Sequence, residues 1–188
     1  MNAVQQNERK RPISVTDYHR MVEVGILAPQ ERIELIDGEI INMSPIGSAH
    51  SGIVDHLTYL LVQAVGRRAI VRVQNPVVLS QFSEPEPDFA ILKPRDNYYK
   101  DAKPSASDVL LLIEVSESSL VYDREIKAPL YARYSIPEVW CFDVANARMS
   151  IFCNPQPDGY ASESLVDLAG EVTPSQLPDV AIDLSTVF

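Results

Sequence analysis

The sequence predicts an α/β domain, a mixed β-sheet flanked by helices, on three observations. The run Asp108-Val-Leu-Leu-Leu-Ile-Glu-Val is the most apolar stretch of the chain. A continuous apolar run of that length reads as a central strand covered on both faces. Ile53, Leu57, Leu60, Leu61, Ala64 and Val65 recur at three- and four-residue steps, the period of a helix with one apolar face. Further strand-like runs alternate with helical patterns along the chain, the arrangement of a sheet with helices packed on it.

Taken in order, residues 1–12 are polar and expected to be disordered, leaving one domain over residues 13–188. Ser14 with Asp17 three residues on makes a capping-box pattern ahead of Tyr18, Met21 and Val22, and Gly25 supplies a stop. In RIELIDGEIINM, Asp37-Gly38 separates two short alternating runs. That dipeptide is a hairpin signal because both turn residues take positive φ. The second helix should run from Ser48 to Gly66. Strands are expected near Ala69–Val73 and Val77–Ser80, broken at Asn75-Pro76, and then at Phe89–Leu92 after Pro87-Asp88. A loop over residues 93–108 leads into the central strand. A third helix over Asp123–Tyr134 must accommodate Pro129, which cannot donate to its i−4 carbonyl. Val139–Val144 and Met149–Cys153 read as a strand pair, and Val180–Leu184 as an edge strand.

Composition bounds the function. No apolar run reaches the ~20 residues of a membrane span, and the N-terminus lacks the apolar stretch of a secretory signal. Cys141 and Cys153 are too few for a disulfide framework and are expected on neighbouring strands, reduced, in a cytoplasmic protein. The net charge of −10 argues against tight non-specific binding to nucleic acid. That charge is concentrated, however: Met149–Phe188 carries six acids and no Lys or Arg, and the rest of the chain has a net of −4. There is no P-loop, Gly-rich dinucleotide fingerprint, HExxH or G-x-S-x-G elbow.

Asp88 stands at the entrance of one strand and Glu114 inside the most buried one. A carboxylate within LLLIEV is costly unless paired or bound to a cation. Either Asp88 and Glu114 converge on one hard divalent cation, for which Mg²⁺ is suited, or Glu114 pairs with an Arg or lies at a frayed strand end. Lys127, thirteen residues after Glu114, sits on a helix that could pack back across that strand. There it could orient a water and stabilise phosphorane charge; alone it would be a solvated surface lysine. His50 shares a helix face with Ile53 and Leu57 and points inward, to a cleft or to the core. The segment KPRDNYYKDAK, residues 93–103, interleaves cations with Tyr98 and Tyr99 and could contact phosphates and a base, or be a solvated loop. Arg67, Arg68 and Arg72 form a second basic cluster near a helix end, and Trp140 reads as core or a dimer contact.

The strings PEPDFAIL and LLLIEVSESSLVYDREIKAPLYARYSIPEVWCFDV resemble the Uma-type family of bacterial restriction endonucleases, a branch of the PD-(D/E)xK nuclease superfamily, as does ERIELIDGEIINMSPIGSAH. The matching segments span about residues 14–153. The resemblance implies a restriction-endonuclease-like fold and Mg²⁺-dependent hydrolysis of DNA phosphodiesters, with Mn²⁺ as a possible substitute. It aligns Asp88 with the Asp of the PD motif and Glu114 with the acid of the second motif. Ser116 stands where the simple motif places Lys, which implies that Lys127 replaces it from the following helix. Glu34 corresponds to an additional metal or water ligand, against a solvent-facing strand residue. Gln74 could reach a scissile phosphate. Asp123 pairs with Lys127 or holds the helix, against a plain N-cap. One site faces one strand of a duplex, so a homodimer is expected. A nuclease-fold binding or assembly module with little turnover is the alternative, favoured by the acidic surface.

Overall fold

In the computed structural model, residues 11–28 and 30–188 are described; the disorder expected of residues 1–10 lies outside them. The chain begins with a helix, α1 (Val15–Glu23), whose N-cap Ser14 accepts a hydrogen bond from the Asp17 N–H. The hairpin of β1 (Ile33–Ile36) and β2 (Glu39–Asn42) follows. Asp37 and Gly38 both have positive φ, 48° and 79°, as the two-residue turn demands. Gly38 has a second constraint, since a Cβ there would strike Pro12.

All four residues of β1 are buried, because the hairpin is covered on both sides. Ile33 and Leu35 pack with Tyr18 under α1, whereas Ile36 joins the core beneath the main sheet. Glu34, alternating with Ile33 and Leu35, therefore points inward. At 3% exposure it is not the solvent-facing residue that remained open from sequence.

The long helix α2 (Ser48–Val65) leads to β3 (Ile70–Val73). Arg68 folds back on the end of α2, donating to the carbonyls of Ala64 and Val65, so this member of the basic cluster serves the helix terminus. The strand expected at 77–80 does not form. Val78 and Ser80 make only isolated bridges, to Ser105 and Ser83, because Pro76 and Pro85 bracket a segment closed on itself by a local turn.

β4 (Phe89–Leu92), β5 (Val109–Ser116), β6 (Glu138–Asp143), β7 (Arg148–Gln156) and β8 (Gly159–Asp167) complete a six-stranded sheet ordered β3-β4-β5-β6-β7-β8. Only β5 and β6 pair in parallel, so the sheet is mixed. The nine-residue β8 was not foreseen: its Gly-Tyr-Ala-Ser-Glu-Ser opening is polar because it is an outer strand. The 180–184 segment is a correction of the same kind. Ile182–Asp183 forms β10, paired with β9 (Glu171–Val172) in a separate two-stranded sheet. Leu177, Val180, Ile182, Leu184 and Val187 nonetheless pack into the core beside α2.

Parallel pairing of β5 with β6 requires a crossover, and this crossover builds the site. It consists of α3 (Leu120–Tyr122), a π-helical segment (Asp123–Lys127) and α4 (Ala128–Arg133). Pro129 falls in the first turn of α4, where a missing N–H costs little, and the wider π turn absorbs the break expected there. Leu111, Ile113 and Val115 face α2; Leu112 faces Leu130 and Tyr131 of the crossover. Strand alternation puts Glu114 on the crossover side. Trp140 is fully buried core. Cys141 and Cys153 are free thiols on the adjacent strands β6 and β7. No described helix is long and apolar enough to cross a membrane.

Candidate active site

A cavity of about 220 Å³ opens between the hairpin, the start of α2, the entrance of β4, the end of β5 and the crossover. Glu34, Glu86, Asp88, Glu114, His50, Asp123 and Lys127 all line it. Glu114 is 3% exposed, and its Oε1 accepts the Tyr131 hydroxyl at 2.6 Å. Lys127, likewise 3% exposed, places its ammonium 3.2 Å from Glu114 Oε1 and 3.2 Å from Glu34 Oε2. Glu34 Oε2 also accepts the Glu86 N–H at 3.1 Å. Lys127 is thus no surface lysine, and Glu114 is paired with a lysine rather than an arginine.

Asp88 is held from three directions. Its Oδ2 accepts the Val115 N–H at 2.8 Å. Its Oδ1 faces His50 Nε2 at 3.0 Å and accepts from Gln74 Nε2 at 3.2 Å. His50 Nδ1 lies 2.9 Å from the Val115 carbonyl, a contact in which only the ring can donate. His50 therefore belongs to the cleft and not to the core. Gln74 orients Asp88, with its own backbone at a positive φ of 46° and its N–H on the Asp88 carbonyl at 2.9 Å.

The electrostatics follow from crowding acids in a buried place. Burial, together with Asp123 and Asp88, pushes Glu114 up to about 8 in spite of Lys127. Burial raises Glu86 as well. Burial alone would lower Lys127, but the carboxylates of Glu114, Glu34, Asp123 and Asp88 outweigh it and keep the ammonium charged. Burial would raise Asp88, yet the hydrogen bond and charge of His50, helped by Val115 and Gln74, hold it below the usual carboxylate range. The hydrogen bond that His50 makes to Asp88 in turn raises His50.

Asp123 accepts from Ser116 Oγ at 2.7 Å and from Ser119 Oγ. It ties the π segment to the end of β5 and is not a helix N-cap. Ser116, two residues beyond Glu114, thus anchors the segment that delivers Lys127.

Among the described residues, no group of three or more His, Cys, Asp or Glu side chains stands close enough to hold a metal ion as placed. The donor set still suits a hard cation. Glu34, Glu86, Asp88 and Glu114 offer only oxygens, and burial raises Glu114 and Glu86.

The family described as "Putative restriction endonuclease", Uma2, matches residues 15–185. The chain belongs to the Uma2 family. The match runs well past residue 153, so β8 and the C-terminal segment are part of the family's domain. One solved structure, described as a putative nuclease belonging to DUF820 from Anabaena variabilis, superposes with a TM-score of 0.67 at 15% identity, covering 94% of this chain and 98% of that one. At that identity the likeness establishes the fold. A search of curated proteins returned no match.

Sequence reasoning missed three residues of this candidate site. Glu86 had a signal: in Glu84-Pro-Glu86-Pro-Asp88, each proline keeps the residue before it extended, so the acids recur at strand spacing. Tyr131 stands four residues after Lys127 and so shares its helical face. Tyr122 had no signal, since only the crossover's course turns it into the cavity. The 93–103 loop, in contrast, does not line this cavity. Lys93 donates to Ser107, Lys103 pairs with buried Glu84, and Arg72 and Arg95 flank the Tyr99 ring. Much of its charge is used within the fold, although Tyr98 stays 64% exposed.

Proposed function

We propose that this protein is a Mg²⁺-dependent endodeoxyribonuclease, with Mn²⁺ able to substitute, in which Asp88 and Glu114, aided by Glu34, hold the cation. The observation that carries this reading is Lys127, a buried ammonium set 3.2 Å from both Glu34 and Glu114 on the wall of the cavity that Asp88 lines. A lysine is costly to bury unless paired, and this one points at the place where a phosphoryl group would meet the acids. The family description supports a nucleic-acid substrate.

When bound, the cation supplies Lewis-acid polarisation of the scissile phosphoryl group. Lys127 Nζ donates to the attacking water and to phosphoryl oxygens as charge gathers on them. Asp88 stays ionised through His50, Gln74 and the Val115 N–H. Tyr131 fixes the orientation of Glu114, and Asp123 fixes the segment carrying Lys127.

The test is cleavage of plasmid and single-stranded DNA by purified wild type and Asp88→Asn, with Mg²⁺, Mn²⁺ or EDTA. Cutting by wild type that needs the metal and falls at least ~100-fold in the variant is expected. Equal cutting by both, or cutting in EDTA, overturns the assignment. Absence of cutting on any substrate favours the alternative, a nuclease-fold binding module, to which the net charge of −10 lends support.

We further infer a homodimer, because one site addresses one strand of a duplex. Sedimentation at micromolar concentration should give twice the 20.9 kDa chain mass, and a monomer mass rejects it.

A further inference from the structure

We propose that Tyr122 is a substrate-contacting residue whose hydroxyl donates a hydrogen bond to a non-bridging oxygen of the phosphodiester, an assignment that rests on the nuclease reading above. Tyr122 closes α3 immediately before the π segment and lines the cavity with Glu34, Asp88, Glu114 and Lys127. Its hydroxyl is buried and has no hydrogen-bond partner. Buried hydroxyls in folded proteins are nearly always satisfied, and one left alone lowers stability.

On each neighbouring carboxylate one oxygen is already engaged, and none of those bonds is to Tyr122. Asp123 Oδ2 takes Ser116 and Ser119, Glu34 Oε2 takes Lys127 and the Glu86 N–H, and Glu114 Oε1 takes Lys127 and Tyr131. Tyr131 makes an instructive contrast: its hydroxyl is committed to Glu114 at 2.6 Å, while that of Tyr122 is free for a ligand. Burial and the charges of Glu34 and Asp123 hold Tyr122 far above the ordinary phenol range. The hydroxyl therefore remains a donor at any pH at which the protein works.

An unpartnered donor on a residue that lines the cavity beside Lys127 and Arg32 calls for a ligand rich in acceptor oxygens. A phosphodiester has that chemistry. The cavity of about 220 Å³ has room for a phosphoryl group and several waters. Lys127 lies five residues along the same crossover, so the two donors would meet one phosphoryl group from one wall.

Tyr122→Phe removes only the hydroxyl, and three readouts test it. The melting temperature in EDTA should stay level or rise, because the variant loses an unsatisfied buried group. Cleavage of a short DNA duplex with Mg²⁺ should fall about 10- to 100-fold, the range of a hydrogen bond to a charged oxygen. In the non-cleaving Asp88→Asn background, fluorescence anisotropy with a 12-nucleotide duplex (roughly one helical turn) should show at least ~5-fold weaker binding when Tyr122→Phe is added, about half of such a bond's range. A lower melting temperature with cleavage and binding unchanged would assign Tyr122 to the fold and overturn the proposal. If wild type does not cut but the anisotropy difference holds, the nuclease reading fails while the phosphate contact stands. A protein that neither cuts nor binds the duplex overturns both.

Discussion

Lys127→Met should slow cleavage sharply and lower the melting temperature, with a larger thermal loss at pH 8.5 than at pH 6. Methionine matches much of the lysine stem but carries no charge, so Glu34 and Glu114, each 3% exposed, are left buried without their shared partner. Removing one member of a buried ion pair costs roughly 3–5 kcal/mol, which for a chain of this size is on the order of 10 °C. The pH dependence follows from Glu114, which burial already pushes up to about 8. At pH 6 it holds a proton and the stranded charge is partly removed; at pH 8.5, although loss of Lys127 raises the group further, keeping the proton costs more. Cleavage should fall about 10²- to 10³-fold, the usual loss for one preorganised donor at developing charge. Thermal melts at the two pH values and a cleavage time course check this. A variant as stable as wild type at pH 8.5 would mean that Lys127 is not what neutralises these acids.

Glu114→Gln should flatten the pH dependence of stability and remove most of the protection that a divalent cation confers. The ordinary value for this carboxyl is 4.5, and in the folded protein it rises to about 8. The folded state therefore binds the proton more tightly than the unfolded state. The stability this provides is fully present below about pH 4.5 and is lost as the pH rises through about 8. Its size is at most on the order of 5 kcal/mol. His50, raised by Asp88, acts in the same direction, so a residual slope remains in the variant. Asp88, held low, loses its contribution only on acidification and lies outside this window. A cation that displaces the Glu114 proton should raise the wild-type melting temperature more at pH 8.5 than at pH 6. Melts at pH 5.5, 7 and 8.5 in EDTA or Mg²⁺, on both proteins, measure this directly. Parallel curves for wild type and Glu114→Gln would show that the carboxyl is not the titrating group. Cleavage by the variant should fall at least ~100-fold.

The two variants probe one physical arrangement from opposite sides. The carboxylates of Glu34, Asp88 and Glu114 and the ammonium of Lys127 meet at one cavity, and these acids outnumber the ammonium. Lys127 supplies one neutralising charge, protonation of Glu114 supplies another, and in the proposed mechanism a divalent cation replaces the proton.

Much of this was legible in the residues. The hairpin at Asp37-Gly38, the cap at Ser14, α2 and the central strand all rest on local rules of period, turn geometry and capping, and all form where expected. Glu114 declared itself because a carboxylate in an unbroken apolar run demands a partner. The strand expected at 77–80 and the edge placement of 180–184 failed for the same reason. Short apolar pieces beside a proline do not specify a pairing partner. β8 escaped notice because an outer strand with polar residues has no apolar alternation to read.

By itself, the sequence determined which residue types and spacings were available: two acids at strand positions, a lysine thirteen residues downstream, and the apolar faces that place them in a mixed sheet. Only the tertiary structure decided which partners meet. The parallel β5–β6 pairing forces a crossover over the Glu114 face, and the π segment within it brings Lys127 to Glu114 and to Glu34, which comes from a hairpin 93 residues earlier. The cover of α1 over that hairpin turned Glu34 inward, and the same crossover left the hydroxyl of cavity-lining Tyr122 without a partner. Local propensities act over a few residues, whereas the burial that makes these groups pair, shift or wait for a ligand exists only once distant segments have packed together.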